Sequence, residues 1–210
     1  MIKIENTEVH GWEAAIRGMR NPLNSWDKSD SLWINKEGSC WDGMFFVGNN
    51  DLKLMKQLVN AGSDHSKFMR MINVTCDITA PIYFNKEIDT YKVGTVRNSC
   101  STMHTIHKKE FEASDFSFEK TPPDVCSISY FLGRLNYARD KYLKTNDKGY
   151  WYAIIQMLPE SYNQRYTWQA NYAVLRNIYH ARKNHKLDEW RAFCEWVKDE
   201  LPYSNLTTEE

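Results

Sequence analysis

The residues best suited to chemistry are Asn171 and Arg182, at the two ends of one predicted helical face. Asn171, Leu175, Ile178 and Arg182 are separated by four, three and four residues. These positions span roughly three helical turns, so the face is polar at both ends and apolar between them. The guanidinium of Arg182 is a planar fork that suits a carboxylate, a phosphate or a carbonyl-rich base. The face therefore walls a ligand cleft, or Arg182 pairs with a neighbouring acid while Asn171 holds a loop.

Histidines form the second group of candidates. His65 lies just before a predicted strand, with Arg70 close behind it, and a single histidine in that place is either catalytic or structural. His104 and His107 are three residues apart, but no acid or cysteine completes a metal-binding set at a suitable spacing. The five cysteines are scattered and form no CxxC pair. We therefore expect no metal, no disulfide framework and a reducing cytosol.

Composition narrows the classes of protein. The chain has 210 residues, with 27 Lys plus Arg balanced by 27 Asp plus Glu, so a basic nucleic-acid-binding surface is not expected. No segment approaches ~18 apolar residues, so we expect a soluble cytoplasmic protein without a membrane partner. The absence of GxGxxG, P-loop and GxSxG motifs disfavours Rossmann enzymes, NTPases and α/β-hydrolases.

The elements that must position these residues indicate an α+β domain with a helical C-terminal half. Residues 21–50 are rich in Asn, Ser, Asp, Gly and Trp and are predicted to be an irregular insertion that covers a site or forms an interface. We expect one domain over residues 1–203 and a flexible tail over 204–210. The predicted strands and extended segments are Met1–Ile4, Arg70–Thr79 and Tyr91–Ser101, with a loop at Asp115–Asp124 and a bridging segment at Tyr162–Trp168. The predicted helices are Gly11–Met19, Asp51–Ala61, Ala80–Ile88, Val125–Lys144, Lys148–Met157, Gln169–Lys183 and Leu187–Leu201.

Three stretches of the chain carry a family resemblance. Gly62 leads through His65 into the buried strand, and Ala80-Pro81-Ile82-Tyr83 opens the next helix. Leu158-Pro159 then precedes Tyr166-x-Trp168-x-x-Asn171-x-x-x-Leu175 and Arg182, followed by His185 and Glu189-Trp190-Arg191. In order and spacing, residues 51–200 resemble the flavin-dependent thymidylate synthases, also called thymidylate synthase complementing proteins.

The family's signature segment is largely rewritten in this chain. The signature aligns with Thr90–Met103 and reads Arg-His-Arg-x-x-Ser-x-Asn-x-x-Ser-x-Arg-Tyr. In this segment Lys92, Thr95 and Cys100 partly replace the signature's second arginine and its two serines. The signature arginines of the family hold phosphate groups through a charge-assisted fork. Each missing charged contact removes on the order of 1.5–3 kcal/mol of binding free energy.

The resemblance implies a central antiparallel sheet flanked by helices, a homotetramer, FAD as cofactor and a pyrimidine nucleotide such as dUMP as substrate. It implies that Arg182 polarises the base during one-carbon transfer, a methyltransferase reaction whose outcome is altered in this chain. The cofactor-binding residues it implies are His65, Lys92, Asn171 and His185. The substrate-binding residues it implies are Glu87, Thr95, Arg97, Asn98, Cys100, Ser101 and Arg182. The alternatives are a non-catalytic nucleotide-binding or sequestering protein that has lost flavin chemistry, and a purely structural role.

Overall fold

A computed structural model describes residues 1–35, 37, 43–122, 124 and 127–209 of the chain. The helices are α1 (Trp12–Arg20), α2 (Asn49–Asn60), α3 (Ile82–Ile88), α4 (Thr102–Thr105), α5 (Ile128–Thr145), α6 (Lys148–Met157), α7 (Tyr172–Arg182), α8 (Asp188–Asp199) and α9 (Asn205–Thr208). The strands are β1 (Lys3–His10), β2 (Leu32–Ile34), β3 (Met44–Phe46), β4 (Asn73–Pro81), β5 (Val96–Ser99) and β6 (Asn163–Asn171). The fold is α+β with an antiparallel sheet, as the sequence predicts.

A four-stranded sheet in the order β1-β4-β6-β5 is central to the fold. Burial alternates along residues 73–80 of β4, where Val74, Cys76, Ile78 and Ala80 are at most 1% exposed and the residues between them are half-buried. This period of two is the pattern of a strand with one face in the core. The strand was therefore predicted correctly in kind, although it begins at Asn73 rather than Arg70.

Strand β6 corrects the sequence interpretation of residues 162–171. We predict a bridging segment there and a helix from Gln169, whereas Asn163–Asn171 is one continuous strand and the helix begins at Tyr172. The side chains of Tyr166, Trp168 and Ala170 are buried at every second position, which is the signal of a strand. Helical apolar spacing downstream of Asn171 hid that signal.

The chain divides into two compact units. The first comprises residues 1–5, 77–90 and 97–167, and the second comprises residues 6–76, 91–96 and 168–210. In the first unit, α5 and α6 cover a cluster formed by Ile106, Phe111, Phe116, Leu135, Ala138 and Ile154. In the second unit, the largest fully buried side chains include Trp190, Tyr172, Phe193 and Met55. The extent of a single domain over residues 1–203 stays a prediction.

A buried ion pair fixes the start of the insertion in the second unit. Arg20 Nε donates to Asp51 Oδ1 at 2.6 Å, and the two side chains are 4% and 0% exposed. Asp51 Oδ2 also accepts from Ser29 Oγ at 2.7 Å and from Ser31 Oγ at 2.6 Å. Arg20 Nη1 donates to the carbonyl of Ser25 at 3.0 Å, so both ends of the 20–31 segment are tied to α2 by charge-assisted hydrogen bonds.

The insertion is more ordered than the sequence predicts. It contains two 3₁₀ turns, at Asn21–Leu23 and Trp26–Lys28, and an antiparallel hairpin in which Trp33 pairs with Phe45. The rings of Trp33 and Phe45 meet edge to face at 5.2 Å. Trp41, which the sequence singles out with Trp26 and Trp33, lies outside the described residues.

The C-terminal segment also differs from expectation. Residues 205–208, which we expect to be part of a flexible tail, form α9, and Leu206 and Thr207 are at most 1% exposed. Arg176 Nη1 donates to the carbonyl of Leu206 at 3.2 Å. Burial of Leu206 and this backbone contact explain why the segment is ordered.

Candidate functional site

Helix α7 carries the two residues that the sequence places at the ends of one face. Asn171 is the residue that caps this helix rather than a member of its first turn, and its Oδ1 accepts from the Val174 N–H at 3.1 Å. Its side chain is thus held in place and the residue is only 9% exposed. A capping Asn satisfies one of the unpaired N–H groups at a helix start, so Asn171 has a structural task whatever else it binds.

The segment at the rewritten signature lies against this cap. Gly94 has φ +80°, and a Cβ built there would lie 2.8 Å from Asn171 Nδ2 and 3.3 Å from a methyl group of Val174. Thr95 Oγ1 donates to the carbonyl of Tyr91 at 2.7 Å and so closes the turn. Glycine is required at position 94 both for the left-handed backbone and for the close approach.

Arg182, at the other end of α7, is held by two aromatic rings. Its Nε donates to the hydroxyl oxygen of Tyr91 at 3.0 Å. Its guanidinium carbon lies 4.9 Å from the centroid of Trp190 and 5.8 Å from that of Tyr91, and the two rings meet edge to face at 6.1 Å. These cation–π contacts fix the position of the charge. Sequence reasoning missed Tyr91 and Trp190 as partners, although Tyr91 stands at the histidine of the signature.

His185 extends the same cluster. Its Nδ1 accepts from the backbone N–H of Leu187 at 3.2 Å, which assigns the ring proton to Nε2. The ring meets Trp190 edge to face at 6.3 Å. The imidazole ring is therefore held in one orientation beside Trp190.

The remaining predicted cofactor residues have exposed side chains. Lys92 lies in the signature turn between Tyr91 and Gly94. His65 lies in a separate turn after α2, where its backbone N–H donates to the carbonyl of Gly62 at 3.1 Å. The structure therefore places Lys92, but not His65, in the chain segment that reaches Asn171 and Arg182.

Arg97, in the first unit, is already fully engaged by protein groups. Its Nη1 donates to both carboxylate oxygens of Asp89, at 2.9 and 2.8 Å, and its Nη2 donates to Gln164 Oε1 at 2.8 Å. Its Nε donates to Ser99 Oγ at 2.8 Å, and its guanidinium lies 3.9 Å from the centroid of Tyr166. A ligand phosphate at Arg97 would compete with Asp89 for the guanidinium.

The other predicted substrate residues of this unit lie in the chain segment from α3 to the N-cap of α4. The carbonyl of Glu87 accepts from Thr90 Oγ1 at 2.7 Å, and Asn98 and Cys100 are exposed. Ser101 caps α4, with its Oγ accepting from the His104 N–H at 3.1 Å. The predicted residues thus fall into two sets: Glu87, Arg97, Asn98, Cys100 and Ser101 in the first unit, and His65, Lys92, Thr95, Asn171, Arg182 and His185 in the second.

The described residues contain no group of three or more His, Cys, Asp or Glu side chains that could hold a metal ion. None of the helices found among them is long and apolar enough to cross a membrane.

Comparisons with known proteins connect the fold to one class. No protein-family model and no curated protein sequence matches the chain significantly. Two structures of the flavin-dependent thymidylate synthase ThyX from Helicobacter pylori with FAD and dUMP match with TM-scores of 0.73, at 19% and 18% identity. These matches cover 97% and 98% of this chain and 96% of each ThyX chain.

A third match is the UMP/dUMP methylase PolB from Streptomyces cacaoi bound with 5-Br dUMP, with a TM-score of 0.58 and 13% identity. It covers 94% of this chain and 88% of the methylase. The chain therefore has the fold of the flavin-dependent thymidylate synthases, as its motif spacing predicts. Fold alone does not fix function, and the site has to be argued from its residues.

Proposed function

We propose that this chain is a flavin-dependent thymidylate synthase-like protein that binds a pyrimidine nucleotide such as dUMP. The observation that carries the proposal is the arrangement of Arg182 between Tyr91 and Trp190 in a chain whose fold matches ThyX over nearly its whole length. The structural neighbours were determined with dUMP or 5-Br dUMP, which supports a small nucleotide as the ligand.

Arg182 is suited to the carbonyl groups of a pyrimidine ring. Its guanidinium is held in one orientation by the hydrogen bond to Tyr91 and the contact with Trp190, so little side-chain freedom is lost when a ligand binds. A fixed cation beside a carbonyl stabilises negative charge that develops on the base. We assign Arg182 the role of base recognition and of polarising the ring for one-carbon transfer.

The donor groups around this cluster fit a flavin dinucleotide. Lys92 supplies an exposed cation suited to a phosphate, and His185 presents an imidazole whose Nδ1 is already occupied by Leu187. Lys92, His185 and Asn171 would hold the cofactor, with His65 contributing from its own turn. FAD, when bound, would supply the hydride for a methyltransferase reaction.

The phosphate of the nucleotide is the part of the ligand that the rewritten signature recognises differently. Thr90 and Thr102 offer only hydroxyl groups where the signature has arginines, and Arg97 is paired with Asp89. The carboxylate of Glu87 would repel a phosphate but can accept from an amino group on a base. These exchanges support a one-carbon transfer with an altered substrate or outcome.

Assembly and location belong to the same proposal. We propose a homotetramer in the cytoplasm, because large apolar side chains of α5 are exposed, among them Tyr130 at 73% and Leu143 at 52%. Exposed apolar surface of this kind commonly marks a contact with another chain. Scattered cysteines, with Cys194 a buried free thiol, agree with a reducing compartment.

The direct test is Arg182→Ala, with dUMP binding measured by isothermal titration calorimetry. Loss of a charged hydrogen-bonding partner predicts a Kd that is higher by roughly tenfold or more. Arg17→Ala is the matched control, because Arg17 is an exposed arginine of α1 whose guanidinium makes a surface contact of 3.1 Å with Glu13. An Arg182→Ala protein that is folded and binds dUMP as tightly as the Arg17→Ala protein would show that the assigned site is wrong.

A further inference from the structure

A second concave site lies wholly within the first unit. The cavity has a volume of about 370 Å³, within the range of small-molecule sites. Its polar lining consists of His104, His107 and Lys148. Its aromatic lining consists of Tyr142, Trp151 and Tyr152.

The aromatic rings of this cavity are fixed in position. Lys148, Trp151 and Tyr152 are three and four residues apart on α6, so they share one helical face. The indole N–H of Trp151 donates to the carbonyl of Met103 at 3.2 Å, and the rings of Trp151 and Tyr152 meet edge to face at 5.0 Å. A tethered indole offers a π-face to a flat ligand, which is how bases are commonly stacked.

One buried polar atom beside the cavity lacks a hydrogen bond. His107 packs edge to face on Tyr142, with ring centroids 5.0 Å apart, and its Nδ1 is buried without a hydrogen-bond partner among the described residues. A buried polar atom left in this way costs free energy unless a ligand or water satisfies it.

The described residues that line the cavity carry positive charge and no negative charge. Lys148 is exposed, and no carboxylate is among the described residues that line the cavity. The neighbouring acid, Asp147, is occupied as the cap of α6, where its Oδ1 accepts from the Gly149 N–H at 2.8 Å. A cation, two imidazoles and a stacking surface together match an anionic aromatic ligand.

We propose that this cavity binds a nucleoside phosphate, with the phosphate at Lys148 and the two imidazoles and the base against Trp151 and Tyr152. The inference goes beyond the proposed function, because it assigns phosphate contacts to residues outside the positions that the family resemblance marks. It rests on the proposed function only for the choice of dUMP as first probe.

The experiment measures binding of dUMP, deoxyuridine, dCMP and ADP to the full chain by calorimetry, and the quenching of tryptophan fluorescence in parallel. Lys148→Gln removes the charge, and Lys144→Gln, on the exposed end of α5, is the matched control. With Arg182→Ala as the common background, so that the cavity is measured alone, we expect Lys148→Gln to weaken dUMP about tenfold, to leave deoxyuridine unchanged, and to differ clearly from Lys144→Gln. We expect Trp151→Phe to lose part of the quenching amplitude while still binding.

The outcomes separate this inference from the proposed function. Normal dUMP affinity in Lys148→Gln together with its loss in Arg182→Ala would overturn the cavity assignment and leave the proposed function intact. Binding of ADP or dCMP that depends on Lys148, without any binding of dUMP, would support the cavity and contradict the proposed function. If no nucleotide of this panel binds and quenches the wild-type protein, the cavity assignment is wrong.

Discussion

Asp51→Asn conserves the shape of the side chain, yet it should be one of the most destabilising substitutions of that kind in this chain. Asp51 is fully buried and its carboxylate accepts from Arg20, Ser29 and Ser31. Asparagine keeps the shape but removes the charge, and it turns an amide N–H₂ group toward groups that themselves donate. Arg20, only 3% exposed, is then left as a buried cation without its counter-ion.

Breaking a buried pair by removing one partner costs about 3–5 kcal/mol. For a chain of this size each kcal/mol lowers the melting temperature by about 2–4 °C, so the melting temperature should fall by roughly 6–20 °C. The assay is calorimetric or circular-dichroism melting of Asp51→Asn beside Asp64→Asn, an exposed aspartate in the turn after α2. If Asp51→Asn and Asp64→Asn melt within about a degree of each other, the ion pair does not stabilise the fold as argued.

The carboxyl group of Asp51 also makes the stability of the fold depend on pH. Burial alone would raise the pKa of Asp51, but hydrogen bonds from Ser31, Ser29 and Arg20 outweigh it and hold the pKa below its ordinary value. A lowered folded-state pKa contributes stability above the unfolded pKa of about 3.9, and that stability is lost as the pH falls through the folded value. The difference in melting temperature between wild type and Asp51→Asn should therefore narrow only below about pH 4.

Two further predictions concern the candidate site. Gly94→Ala should weaken ligand binding and cost roughly 1–2 kcal/mol of stability. The reason is that φ is +80° at this residue and the new Cβ would lie 2.8 Å from Asn171 Nδ2. Unchanged binding and an unchanged melting temperature would refute the close approach. Cys100 is exposed, whereas burial raises the pKa of Cys194 to about 11, so a thiol reagent at pH 8 should modify Cys100 quickly and Cys194 slowly. Mass spectrometry of labelled peptides checks this order, and bound nucleotide should protect Cys100; equal rates for the two thiols would contradict it.

The fold was largely readable from the sequence where a local pattern dominates. Helix α6 was predicted with the bounds that the structure has, Lys148–Met157, because Leu158-Pro159 ends it; the structure adds that Asp147 caps its start. The family resemblance supplied what local patterns could not, namely the sheet and its relation to the helices. Strand β6 was missed because a helical pattern begins directly after it, and an element boundary is the least certain part of such an interpretation.

The candidate site was only partly readable. The spacing from Asn171 marked Arg182 as a candidate site residue. It could not show that Tyr91 and Trp190 contact the guanidinium. Those contacts join residues 91, 182 and 190, which no single helical or strand period relates. Likewise, sequence could mark Arg97 as a cation near the signature but could not show that Asp89 and Gln164 engage it. Contacts of that kind depend on side-chain packing, which a linear pattern does not specify.

The most direct test of the central claim is the visible absorbance spectrum of the purified protein with added FAD, recorded while dUMP is titrated in. The account predicts a bound oxidised-flavin spectrum that dUMP perturbs in the wild-type protein and does not perturb in Arg182→Ala. A protein that stays colourless after incubation with FAD and removal of the excess, and that shows no response to dUMP, would contradict it.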